Sequence, residues 1–281
     1  MIINNAQMDQ MHEIQLEIFK SVIEVCEKLG LSYFLVHGSL LGAVMTNKFM
    51  PLDDDIDLAM PRADYEILLK EGNKLIDKSF FIQSNKTDKN YPLDFGKVRA
   101  NDTTYIAKLL QNIDMNHGMF IDIFPIDNYE SNSLKRKIDT LRLKLIKIRI
   151  STNFACSKVS AKTRILRVFT TVMYPSLYKA MAKREKIFSA VKKGELIKLT
   201  GGKGKENGIP AEWFGEYEMA DFEGVQSRVP KMYHEYLSRI YGDYKHRTLL
   251  EEKEHSADSV EINACVFDPE QSYSNYLNRG L

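Results

Sequence analysis

The sequence predicts a mixed α/β domain of the α+β kind, and three observations carry that expectation. Apolar residues recur at helical spacing within the first thirty positions, short β-prone runs bounded by Gly and Pro follow, and a strongly basic helical stretch interrupts them after residue 130. The chain has 281 residues, 44% hydrophobic and 27% charged, the balance of a globular protein able to bury a core without disulfides or a structural metal. Its three cysteines, Cys26, Cys156 and Cys265, form no CxxC or Cys/His cluster, so neither a disulfide framework nor a zinc site is expected. The first fifteen residues lack a basic start and an unbroken apolar core, and the apolar stretch 165–182 is interrupted by Arg167, Pro175 and Lys179. A cytoplasmic location and no membrane span are therefore expected.

Met8, Met11, Ile14, Ile18, Val22, Val25 and Leu29 place a helix over 7–29, stopped by Gly30. Residues 33–36 read as a short strand that breaks at Gly38-Ser39, where a second helix begins. Residues 55–60 alternate polar and apolar up to Pro61, predicting a strand, and 62–78 predict another amphipathic helix. Further strands are expected at 80–83, 95–99, 103–107 and 118–124, the last stopping before Pro125. After the basic region, 201–208 is glycine-rich but lacks P-loop spacing, so it reads as an ordinary loop. Residues 213–230 read as extended and 233–241 as helical. The organisation expected is a catalytic core over 1–130, a basic helical insertion over 131–205, and a C-terminal part, 206–281, packing back on the core.

The formal net charge of +1 conceals a division. Residues 135–205 hold 20 Lys and Arg against three acids, Asp139, Glu185 and Glu195, a local +17. Within it, Leu134, Ile138, Leu141, Leu145 and Ile148 form an apolar stripe among lysines and arginines, a basic amphipathic helix. Three readings stay open: a helix packed on the protein with a wet basic face, contact with an anionic membrane, and nucleic-acid binding. The stretch has no helix-turn-helix, RRM or zinc-finger pattern, so nucleic acid is not expected as a partner.

The chemistry lies in the acids. On a strand, Asp55 and Asp57 project to the same side, within reach of one or two divalent cations. Asp122, between Ile121 and Ile123, is the third ligand if its strand lies alongside, because a carboxylate buried among β-branched residues needs a partner. Gly38-Ser39, at a turn into a helix, offers backbone N–H groups, a hydroxyl and room for a phosphate, with His37 beside it. Lys97 and Arg99 fall on one face of a strand, as cationic contacts for phosphate or as exposed strand charges.

A small glycine turn, fifteen intervening residues, Asp-apolar-Asp and a later apolar-Asp-apolar strand resemble the polymerase-β-like nucleotidyltransferase superfamily. The longer string from His37-Gly38-Ser39-Leu40-Leu41-Gly42-Ala43-Val44 through Pro51-Leu52-Asp53-Asp54-Asp55-Ile56-Asp57 to Pro61 is similar to the LicD family. So are 121–127, Phe95 to Arg99 with Thr104-Tyr105, Phe222-Glu223-Gly224 to Pro230, and 241–244. The chain departs from that pattern at Met45, where arginine is common, and at Leu52, where tryptophan is common. The resemblance implies a nucleotidyltransferase-like fold and a CDP-activated donor, typically CDP-choline, from which phosphocholine passes to a hydroxyl of a teichoic acid or lipopolysaccharide precursor. Fukutin-type enzymes with a CDP-alditol donor look similar. Asp55, Asp57 and Asp122 would then hold Mg²⁺ or Mn²⁺ and carry catalysis, while His37, Gly38, Ser39, Lys97 and Arg99 bind the donor. Glu223 would line the acceptor or choline pocket. The expected partners are the donor, a glycan or lipid-linked glycan acceptor, and an anionic membrane met peripherally at its inner face. The alternatives are NMP transfer from an NTP to a small molecule and a non-catalytic membrane-associated binding module.

Overall fold

A computed structural model of the chain describes residues 1–51, 53–154, 161–202, 204–246 and 259–277, with backbone alone at 152–154 and 161–163. Leu52 and Cys156 lie outside the described residues. After a short strand β1 (Ile2–Asn4), helix α1 runs over Asn5–Leu29. It starts two residues before the apolar repeat because Asn4 and Gln7 form a reciprocal capping box, and it ends at Gly30, whose φ of 65° closes the last turn. Its buried stripe includes Met8, Met11, Ile18, Phe19, Val22 and Val25, and it packs across β5 (Gly96–Ala100) and β7 (Phe120–Asn128).

Among the described residues the main sheet has seven strands. Its principal order is β2 (Phe34–Leu35), β3 (Asp57–Pro61), β7, β5, β4 (Phe80–Gln83). Strands β3 and β7 are parallel and the other pairs antiparallel, so the sheet is mixed, as the α+β reading expects. Helix α2 (His37–Met45) follows β2, and α3 (Arg62–Glu71) follows β3. The α3 helix ends earlier than the predicted 78 because a 3₁₀ turn at Gly72–Lys74 takes over, and a Cβ at Gly72 would come within 2.4 Å of Ile82.

Strand β7 does not stop before Pro125. It continues to Asn128, and its partners explain how it does so. Antiparallel β5 pairs with residues 120–123, and β8 (Leu196–Leu199) pairs with 126–128. Proline's missing N–H falls at the changeover between two partners on that edge, where Thr200 N–H still donates to the Pro125 carbonyl at 2.9 Å. Strand β8 comes from within 131–205, so this stretch contributes to the sheet as well as three helices: α4 (Ser133–Phe154), α5 (Ala161–Met173) and α6 (Leu177–Phe188). Helices α4 and α6, with Tyr174 just after α5, share a small apolar cluster of Ile146, Ile150, Tyr174, Ala180 and Met181. Among the described residues no helix is long and apolar enough to cross a membrane. Beyond β9 (Ile209–Pro210), the expected extended region resolves into the hairpin β10 (Tyr217–Phe222) and β11 (Val225–Pro230), followed by α7 (Tyr233–Tyr241).

One ion pair ties the helical region to the sheet. Arg62 donates from Nε and Nη2 to Asp127 at 2.8 and 2.5 Å, Thr200 donates to the same carboxylate, and Glu185 on α6 lies 3.3 Å from Arg62. Removing one member of such a pair leaves a charge buried without its main partner. Asp127→Ala should therefore cost about 3 kcal/mol in urea unfolding, at the low end for a buried pair because Glu66 and Glu185 remain beside the guanidinium. An unchanged urea midpoint would show that the pair is not a structural clasp.

Candidate active site

Asp57 and Asp122 face each other directly across the parallel pair β3–β7, and Lys97 on β5 faces Asp122 from the other side. In-register positions on neighbouring strands point the same way, so the pleat alone gathers these three side chains. Asp55, two residues before Asp57, completes the group: carboxylate oxygens of Asp55, Asp57 and Asp122 all lie within 4.8 Å of one another. Asp57 and Asp122 are buried, and Asp55 is partly exposed.

The acidic segment that carries Asp55 is held from three directions. His12 Nε2 lies 2.9 Å from the Asp53 carbonyl, Gln15 donates to the Asp54 carbonyl, and the Tyr105 hydroxyl on β6 (Thr104–Ala107) donates to the Asp54 carboxylate at 3.0 Å. Ser39 Oγ, fully buried on α2, accepts the Asp57 N–H at 2.9 Å. The group that glycine admits at position 38 is the carboxylate of Asp53, since a Cβ there would stand 2.1 Å from Asp53 Oδ2.

His37 begins α2 in the left-handed region, at φ 49°, a conformation that costs energy for a residue with a Cβ. Its ring bridges two acids, Nδ1 lying 3.1 Å from Asp57 Oδ2 and Nε2 2.5 Å from Glu206 Oε1. Both partners are acceptors, so both nitrogens carry protons. Burial opposes that charge, but Asp57 and Glu206 outweigh it and lift His37 to about 10. Glu206 is fully buried, its Oε2 meets no donor among the described residues, and a Cβ on Gly202 would come within 2.6 Å of that oxygen.

The electrostatics of the cluster are those of a cation site. Burial, then the like charges of Asp57, Asp122, Asp53 and Asp54, push Asp55 well above the ordinary carboxylate range. Burial also raises Asp122, to about 6, against the opposing pull of Lys97, and burial lowers Lys97. Lys97 donates to Asp122 and lies with its Nζ 3.3 Å from the centroid of the Phe120 ring. One ammonium and one imidazolium do not balance this crowd of acids, and the hard oxygen donor set fits Mg²⁺ or Mn²⁺. Two open cavities, of 570 and 250 Å³, are lined from the carboxyl end of β7 and not by these acids.

Residues 30–150 match the family model described as LicD/FKTN/FKRP, nucleotidyltransferase domain, and that span contains α2, β3, β5 and β7 with all three acids. Residues 30–150 are thus similar to a LicD-family nucleotidyltransferase domain. Over 238 residues the chain is 29% identical to the lipopolysaccharide cholinephosphotransferase LicD of Haemophilus influenzae, covering 78% of this chain and 84% of that protein.

The structure corrects three expectations about donor contacts and one about the acceptor or choline pocket. His37 has both ring nitrogens engaged by carboxylates, so it orients Asp57 and has no N–H to offer a phosphate. Ser39 is buried beneath Asp57 and holds the start of β3. Arg99, also buried, donates to Gln83 Oε1 and the Gly118 carbonyl, which ties β5 to its neighbours and leaves it inside the fold. Glu223 stands at the β10–β11 turn with φ 53°, and its Oε1 accepts the Phe49 N–H while its own N–H donates to Asn47, a clasp on the loop after α2. Lys97 is buried beside Asp122 and is not an exposed strand charge. The residue that sequence reasoning missed is Glu206. It lies in the glycine-rich loop, 169 positions from His37, and only the unusual density of glycines marked that segment.

Proposed function

We propose that the chain is a divalent-cation-dependent transferase that moves phosphocholine, or a related alcohol phosphate, from a CDP-activated donor to a hydroxyl of a cell-surface glycan precursor. The observation that carries this reading is the convergence of Asp55, Asp57 and Asp122, with the name of the Haemophilus relative pointing to choline phosphate and lipopolysaccharide. The acceptor oxygen attacks the phosphorus that bears choline, the bond from that phosphorus to the CMP oxygen breaks, and CMP leaves. Such a transfer needs charge neutralisation and alignment more than covalent help from the protein.

In this reading Asp55, Asp57 and Asp122 hold Mg²⁺ or Mn²⁺. When bound, the cation neutralises the donor diphosphate and makes the attacking hydroxyl more acidic. Asp122 accepts the hydroxyl proton, and Lys97 beside it keeps that carboxylate poised while adding positive charge near the donor. The His37–Glu206 pair keeps Asp57 turned toward its neighbours.

The test is a donor screen with purified protein, Mg²⁺ and a panel of glycan acceptors. CMP release from CDP-choline, with phosphocholine appearing on the glycan and chelator stopping both, is the expected result. Pyrophosphate release from an NTP, with the nucleotide on the acceptor, would replace this reading with nucleotidyl transfer. Cation-dependent donor binding without any product across the panel would leave a binding module.

A further inference from the structure

Helix α5 is built inside out for a protein surrounded only by water. Its buried position is Thr170, whose hydroxyl turns back to the Leu166 carbonyl. Ile165, Val168, Phe169, Val172 and Met173, by contrast, are exposed, Ile165 to 72% and Val172 to 77%. Their spacing, i, i+3, i+4, i+7 and i+8, makes them one continuous apolar face about 12 Å long on the helix. Scattered exposed apolar residues need no explanation, but a whole helical face of large ones marks a contact surface. The neighbouring α4 repeats the pattern. Leu134, Ile138 and Leu141 of its stripe are exposed, while Ile146 and Ile150, on a different side of the helix, pack into the cluster shared with α6.

The charge carried by α4 and α6 says what covers it. Lys137, Lys144 and Lys147 on α4 and Lys179, Lys183 and Lys186 on α6 are exposed, and none has a salt bridge among the described residues. Lys135 and Arg142 do have acidic neighbours, Glu130 and Asp139, yet residues 135–205 still carry a net +17. An apolar helical face in a region rich in lysines without acidic partners is complementary to an anionic bilayer: the lysines meet headgroup phosphates while the apolar side chains enter the boundary with the acyl chains.

We infer that α5 lies in the plane of an anionic lipid surface with Ile165, Val168, Phe169, Val172 and Met173 inserted, flanked by the lysines of α4 and α6. This contact is independent of the reading of the acidic site, and its test needs no substrate. The full chain is co-sedimented with vesicles of pure phosphatidylcholine and with vesicles containing 30 mol% phosphatidylglycerol. The expected result is at least tenfold tighter binding to the anionic vesicles, weakened by 0.5 M NaCl. Ile165→Asp/Val172→Asp should lower that binding at least tenfold with an unchanged melting temperature, because both side chains are exposed in the free protein. A second double variant, Lys144→Glu/Lys147→Glu, should lower anionic binding without touching the apolar face. Equal binding to both vesicle types, or full binding by the α5 variant, would overturn the inference. So would a dimer in solution, measured by light scattering, that the α5 variant dissolves, since a second copy would then cover the face.

Discussion

Asp55→Asn should lower CMP release from the CDP-activated donor by about 10³-fold, the scale of losing several kcal/mol of charge stabilisation, and should at the same time make the cation-free protein more stable. The two effects have one cause. Asp55 faces Asp57, Asp122, Asp53 and Asp54, and burial together with those like charges raises its proton affinity well above normal. A carboxylate that binds its proton more tightly when folded loses stability for the fold as pH rises from its unfolded value of about 3.9 through the higher folded one. In chelator at neutral pH the asparagine variant should therefore melt above the wild type, and the gap should close as pH falls toward 4. Added Mg²⁺ should raise the wild-type melting temperature and leave the variant almost unmoved. Undiminished turnover, or a variant that melts below wild type at neutral pH in chelator, would remove Asp55 from the cation site.

Glu206→Gln should lower kcat/KM about tenfold and Glu206→Ala about a hundredfold, the range over which groups that orient a metal ligand act. Glutamine can still accept from His37 Nε2 but supplies no charge to hold the imidazolium, whereas alanine leaves the ring unsupported. Glu206 touches neither donor nor acceptor in the proposed reaction, so its effect should appear as a higher Mg²⁺ concentration for half-maximal activity and not as a changed choice of donor. Wild-type Mg²⁺ dependence in both variants would mean that the buried Glu206–His37 contact is only structural. Melting curves recorded alongside distinguish loss of fold from loss of orientation.

Much of the core was legible because its signals are local. The strand Phe80–Gln83 and the helix Tyr233–Tyr241 appear at the predicted positions, and the acids of the DDDID segment and of β7 were readable from a period of two and from a carboxylate set among isoleucines. The misreadings share a cause in depth. A serine at a turn, two bases on one strand face and a histidine at a strand end look available in one dimension. Ser39, Arg99 and His37 are instead bonded to Asp57, to Gln83 and Gly118, and to two carboxylates. The extension of β7 through Pro125 was illegible for a similar reason, because whether a missing N–H matters depends on which strand stands opposite.

The sequence by itself determined the mixed α/β character, the three acids and the segregation of positive charge, since side-chain period and composition are properties of the chain as written. Tertiary structure alone decided that Lys97 neutralises Asp122, that Glu206 reaches His37 across 169 positions, and that the apolar face of α5 is left uncovered. Each of these depends on strand register, loop closure or helix rotation, and those are settled by how whole faces pack together and not by any short stretch of residues.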